Sequence, residues 1–113
     1  MRQLRITHVC DDMRINGLST VVLSLANESV RRGHDVAILA GREGVLWDDF
    51  TGRREHRTST KRRTDRLRGL QQMCRVVRDS DVVHVHQRAY GVTANLLRGS
   101  GSARVVEHVH SVF

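Results

Sequence analysis

Asp81-Val82-Val83-His84-Val85-His86 is a short run of β-branched residues in which alternate positions carry histidine. Three other runs share its length and apolar character, at Leu4–Cys10, Asp35–Ala40 and Arg104–Val109. Such short runs are typical of strands in a parallel sheet that is covered on both faces. The four runs therefore predict a sheet, with Glu55–Thr60 as a further short strand at one edge.

Helical patterns lie between these runs. The first is an apolar stripe at the helical period, formed by Leu18, Val21, Val22 and Leu25, with Ala26 and Val30 on the same side. The second stripe is formed by Leu67, Leu70, Cys74 and Val77, and a weaker third by Tyr90, Ala94 and Leu97. Asn16-Gly17 is expected to open the first helix and Arg31-Arg32-Gly33 to close it, because glycine accepts a left-handed cap.

This alternation of strands and helices determines the predicted architecture. Right-handed crossovers between parallel strands give a doubly wound sheet. We therefore predict an α/β, Rossmann-like parallel sheet in the order 3-2-1-4-5, with helices on both faces. The 113 residues are expected to form one domain, residues 1–113.

Composition indicates a soluble globular chain, with 39% hydrophobic and 27% charged residues. We see no apolar stretch of the roughly 18–20 residues that span a bilayer, and no signal peptide. A cytoplasmic location is therefore expected. Cys10 and Cys74 have no metal-like spacing, so both are interpreted as small buried hydrophobes.

The net charge of +7 is concentrated in one segment. Its basic residues are Arg53, Arg54, Arg57, Lys61, Arg62, Arg63, Arg66 and Arg68, opposed only by Glu55 and Asp65. One interpretation is a solvated loop and helix start. Another is a surface that contacts anionic membrane, which the predominance of arginine suits because arginine contacts phosphate in two places. Nucleic-acid binding is not expected, because the segment has no aromatic residue for base stacking.

Ligands of such sheets bind beyond the carboxyl ends of the strands, where the strand order reverses. The segments expected there are Cys10–Gly17, His86–Gly91 and His108–Phe113. Gly17 at a helix start would let backbone amides approach a phosphate or hydroxyl group. An ordinary capped turn is the alternative, because no G-x-G-x-x-G fingerprint is present.

Histidines on two predicted neighbouring strands suggest a zinc site. Alternation places His84 and His86 on one face of their strand, and His108 and His110 have the same spacing in theirs. No cysteine or carboxylate cluster completes the set, so we expect no metal. His84 and His108 are interpreted as hydrogen-bonded within the sheet, whereas His86 and His110 at the strand ends can reach a ligand.

Four motifs in order resemble family-four-like retaining glycosyltransferases. They are Arg5–Cys10 with Asn16–Ala26, the Arg31–Val36 turn similar to "RGHEV", the Asp81–His86 strand similar to "DVVHVH", and Arg104–Ser111, similar to "VVxTVHG". The resemblance implies the N-terminal, acceptor-side half of a GT-B fold. Such enzymes transfer a sugar from a nucleotide-sugar, which is a co-substrate, and need no other cofactor.

The resemblance also implies roles for individual residues. Asn16 and Gly17 lie in the glycine loop near the donor pyrophosphate, His86 lies near the cleft, and His110 corresponds to the histidine that approaches the transferred sugar. Three positions depart from the family pattern. Ser19 stands where an acidic residue is common in the family. Asn16 replaces the first of two adjacent glycines, and Ser111 replaces the glycine after the histidine.

The donor-binding half of the GT-B fold is not among these residues. We therefore expect a truncated half that is inactive alone, and a donor-binding domain supplied in cis or in trans. Without that half, a charged leaving group loses most of its stabilisation. The alternative function is a non-catalytic Rossmann-like module with a basic face for membrane or a partner. An exposed last strand also predicts self-association.

Overall fold

The computed structural model describes residues 2–12, 17–42, 45–56, 63–86 and 104–107. Its strands are β1 (Arg5–Asp12), β2 (Asp35–Arg42), β3 (Arg53–His56), β4 (Val82–Val85) and β5 (Arg104–Glu107). Its helices are α1 (Gly17–Arg31) and α2 (Arg63–Asp79), with a short 3-10 helix at Val45–Asp49. The predicted third helix, around Tyr90–Leu97, lies outside the described residues.

The strands form one five-stranded sheet in the order β3-β2-β1-β4-β5, and every neighbouring pair is parallel. This confirms the predicted fold class and strand order. The edge strand β3 begins at Arg53 rather than at the predicted Glu55. Apolar composition does not mark its start, because edge strands commonly carry charged side chains.

Both faces of the sheet are covered. On one face, strand residues such as Val9, Leu39, Val83 and Val85 pack against Met73, Val76 and Val77 of α2. On the other, Cys10, Val36, Ile38 and Ala40 pack with Val22 and Ala26 of α1 and with Trp47 and Phe50. Because side chains alternate along β1 and β2, each of these strands contributes residues to two separate cores, one on each face of the sheet.

The C-terminus of α1 ends as the sequence predicts. Gly33 has a φ of 91°, in the left-handed region. The Gly33 amide donates to the Val30 carbonyl at 2.9 Å, and the His34 amide donates to the Ser29 carbonyl at 3.1 Å. These two bonds form a Schellman motif, which satisfies the last carbonyls of the helix.

The predicted apolar stripes were partly wrong in phase. On α1, Val21 and Leu25 are exposed while Val22 and Ala26 are buried. On α2, Leu67 and Leu70 are exposed, and Cys74 is only half-buried. Val77 is buried as predicted, and the rest of the buried seam of α2 follows Gly69, Met73 and Val76. A glycine adds nothing to an apolar pattern, so the pattern did not mark where this seam begins.

No helix in the described part of the chain is long and apolar enough to cross a membrane.

Candidate functional site

Two of the predicted site residues begin or end elements at the same rim of the sheet. α1 begins at Gly17, just beyond the carboxyl end of β1, and His86 directly follows β4. β1 and β4 are parallel neighbours, and the strand order reverses between them. Crevices at such reversals are where open α/β sheets bind ligands. Asn16 and His110 lie outside the described residues.

His86 extends the ladder of hydrogen bonds past the end of β4. Its amide donates to the Val9 carbonyl at 3.0 Å. The whole residue is only 3% exposed, and its Nε2 lies 3.0 Å from Nδ1 of His8 in a hydrogen bond. The backbone of His86 is therefore at the rim, while its side chain turns onto the sheet.

His8, His84 and His86 form a compact group on the sheet face that α1 covers. His8 and His84 are direct partners in the β1–β4 register. The ring centroids are 5.1 Å apart for His8 and His84, 5.3 Å for His8 and His86, and 4.2 Å for His84 and His86. We refer to these three residues as the histidine cluster.

Sequence reasoning paired His84 with His86 and missed His8. The signal was available, because the predicted order 3-2-1-4-5 makes the first and fourth strands neighbours. Alternation along β1 places His8 between Ile6 and Cys10, whose side chains lie in the α1-side core. Combining strand order with alternation would have placed three histidines together.

The histidine cluster is uncharged at His8. Burial, and secondarily the proximity of His84, lowers the pKa of His8 from 6.5 to about 3. Nε2 of His8 is buried and has no hydrogen-bond partner among the described residues. A neutral imidazole in this state keeps a nitrogen lone pair available, which is the form that binds metal ions.

The basic segment does not form a single surface in its described part. Alternation along β3 places Arg53 and Arg54 on opposite faces of the sheet. Arg53 pairs with Asp35 at 3.0 Å, and Arg54 pairs with Asp48 at 3.2 Å. Arg66 and Arg68 are exposed on α2, which begins at Arg63. Arg57, Lys61 and Arg62 lie outside the described residues.

A polar cavity of about 120 Å³ lies near the opposite end of the sheet. Its lining includes Arg5, Asp35 and Arg53, at the amino ends of β1, β2 and β3. Arg75 of α2 forms an ion pair with Glu55 at its wall. The ion pairs around this cavity join neighbouring strands to each other and to α2. The cavity lies apart from the rim that holds Gly17 and His86.

Comparison with known proteins agrees with this fold. Residues 15–113 match the family described as Glycosyltransferase Family 4. A solved glycosyltransferase from Rickettsia africae ESF-5 is similar in fold, with a TM-score of 0.76 and 18% sequence identity. The alignment covers 100% of this chain and 31% of that protein, so the chain spans about a third of its length. No curated protein matches in sequence.

Proposed function

Because the chain belongs to glycosyltransferase family 4, we propose that it forms the acceptor-side half of a retaining enzyme of the GT-B fold. In this proposal the complete enzyme transfers a sugar from a nucleotide-sugar to an acceptor. The nucleotide-sugar is a co-substrate, and no further cofactor takes part in the transfer.

The observation that carries the proposal is the rim between β1 and β4. The start of α1 at Gly17 and the end of β4 at His86 lie beyond adjacent parallel strands. A helix N-terminus presents free amides and the positive end of its dipole, which suit a phosphate group. Asn16 and Gly17 would therefore approach the donor pyrophosphate through backbone amides.

The histidines have different roles in this proposal. His110 would approach the transferred sugar, as the resemblance implies. His86 would support the cleft from within, because the residue is 3% exposed and its ring is hydrogen-bonded to His8. A ring in that position fixes the end of β4 beside β1 without itself opening onto the rim.

Donor phosphates would be held by a donor-binding domain, supplied in cis or in trans. Stabilising the charge on a departing nucleotide takes donors placed at that charge, each worth several kcal/mol, about 3–4. The acceptor-side rim does not replace them in this proposal. The 113-residue chain by itself is therefore expected to transfer no sugar.

A transfer assay tests the proposal. The chain would be incubated with common nucleotide-sugars, alone and together with a family-four donor-binding domain, and His110→Ala would be compared with His34→Ala. His34 is a matched control because it accepts a hydrogen bond from the Leu4 amide at the amino end of the sheet. We expect transfer only in the combined sample, lost with His110→Ala and retained with His34→Ala. Transfer by the chain alone would refute the proposal that a separate donor-binding domain is required.

We further propose a cytoplasmic location with peripheral contact to anionic membrane. The exposed Arg66 and Arg68 of α2 support this proposal, since each cation near an anionic leaflet contributes about 1 kcal/mol. Charge reversal of both residues should reduce co-sedimentation with vesicles that contain anionic lipid. Reversal of Arg31 and Arg32, which pair with Glu28 on α1, is the control. Equal sedimentation with neutral vesicles would remove the proposal.

A further inference from the structure

The histidine cluster has the composition of a transition-metal site. His8, His84 and His86 each offer one ring nitrogen, and these nitrogens all lie within 4.8 Å of one another. Imidazole is a preferred ligand of zinc and of neighbouring divalent metals. Three imidazoles with a fourth position left open are a ligand set that proteins use for zinc.

The strand register is what brings the three rings together. His8 and His84 face each other across β1 and β4, and His86 follows two positions later on the same face as His84. Because both strands lie inside the sheet, their backbones hold two of the ligands without any loop. Such support from regular elements is what a preorganised metal site requires.

The distances leave little adjustment to make. In a tetrahedral site with bonds of about 2.0–2.1 Å, ligand nitrogens lie about 3.3 Å apart. Nδ1 of His8 and Nε2 of His86 are already 3.0 Å apart in a hydrogen bond, and the proton between them would move to the other nitrogen of its ring when both bind the ion. The ligand nitrogen of His84 lies within 4.8 Å of the other two, and rotation of the rings about their side-chain torsions would shorten these distances.

Burial and access also fit a metal ion. His8 and His86 are buried at 2% and 3% exposure, so water competes weakly for their nitrogens. His84 is half-buried although its Nε2 is itself covered, so an ion would enter from the His84 side once that ring turns. The sequence-based expectation of no metal considered only the pairs His84–His86 and His108–His110, and it did not include His8.

We propose that His8, His84 and His86 bind one divalent transition-metal ion, with zinc the favoured ion. This site lies within the sheet and is independent of the sugar-transfer proposal, so failure of either leaves the other standing. The ion would join β1 to β4 directly beneath the rim, and it would stabilise the folded chain by mass action.

The test uses metal-free protein, prepared with a chelator, and Zn²⁺ alone. Competition with a chromophoric chelator should give one Zn²⁺ per chain, and Co²⁺ should give the visible spectrum of a four-coordinate site. His8→Asn and His84→Gln each remove a ligand, so each should weaken Zn²⁺ binding by more than the roughly tenfold that loss of a ligand's hydrogen-bonding partner costs. Asparagine places a polar atom near the former Nδ1, so the bond to His86 is retained while a ligand is removed.

His34→Asn is the matched control, because it removes a histidine outside the cluster and retains a hydrogen-bonding atom for the Leu4 amide. Its Zn²⁺ affinity should equal that of the unaltered chain. Far-UV circular dichroism checks folding of each variant, and His84→Gln replaces His8→Asn if the latter does not fold. In the unaltered chain, Zn²⁺ should raise the Tm. Absence of Zn²⁺ binding, a Tm that Zn²⁺ does not raise, or affinity unchanged in the cluster variants would overturn the proposal.

Discussion

The fold holds the buried ring of His8 in its neutral form. Burial and the proximity of His84 lower its pKa to about 3, below the ordinary 6.5. Between these pKa values the unfolded chain takes up a proton that the folded chain does not. The stabilisation from the neutral ring is therefore complete above the ordinary pKa and is lost as the pH falls toward the lower one.

We predict that the free energy of unfolding falls by about 1.5 kcal/mol between about pH 6.5 and pH 5. Urea unfolding in the presence of a chelator measures this, and the chosen pH range lies above the titration of ordinary carboxyl groups. His34→Asn should retain the slope, and a folded His8→Asn variant should lose it. A free energy that is constant across this range would show that the His8 ring is accessible to protons.

At the scale of single elements, two glycines fulfil different requirements. Gly33 needs a left-handed backbone at the end of α1, but a Cβ there would have nothing within 4 Å. A Cβ on Gly52 would overlap the ring of Phe50 and lie 2.5 Å from the Val36 carbonyl oxygen. The first glycine is thus required by conformation and the second by space.

Alanine at the two positions should therefore differ in cost. We expect Gly33→Ala to lower the free energy of unfolding by about 1 kcal/mol, from backbone conformation alone. Gly52→Ala should lower it by about 2–3 kcal/mol, because Phe50 and β2 must move. Urea unfolding of both variants is the measurement, and a larger loss for Gly33→Ala would contradict the packing described for Phe50.

The sequence predicted which segments form strands and helices better than it predicted which of their side chains are buried. Runs such as Asp81–His86 mark strands because buried parallel strands are apolar throughout. The edge strand β3 is charged, so composition did not show where it begins. The seam of α2 begins at Gly69, which no apolar pattern records. At the candidate site, local motifs placed Gly17 and His86 at one rim. His8 was found only through the pairing of β1 with β4, two strands that are distant in sequence.

At the scale of the whole molecule, the described strands leave two sheet edges. β3 and β5 each have a neighbouring strand on one side only within this described sheet. β3 carries Arg53 and Arg54, which discourage pairing with another chain, whereas Val106 on β5 is 45% exposed. Exposed apolar edges favour association between copies.

We predict that the chain self-associates through β5 and that Val106→Lys reduces this association. Sedimentation velocity at several protein concentrations measures it. Leu25→Lys on α1 is the control, since Leu25 is similarly exposed at 39% but lies away from either edge. A chain that is monomeric at every concentration would count against association through β5. So would a Val106→Lys variant that associates as the unaltered chain does.

If the proposed function is correct, sugar transfer needs two halves that meet at the rim between β1 and β4. The measurement is the rate of sugar transfer from a nucleotide-sugar by the chain, with and without a family-four donor-binding domain. We predict no transfer by the chain alone, transfer by the pair, and loss of that transfer in His110→Ala. Transfer without the second domain, or a pair whose activity is indifferent to His110, would contradict it.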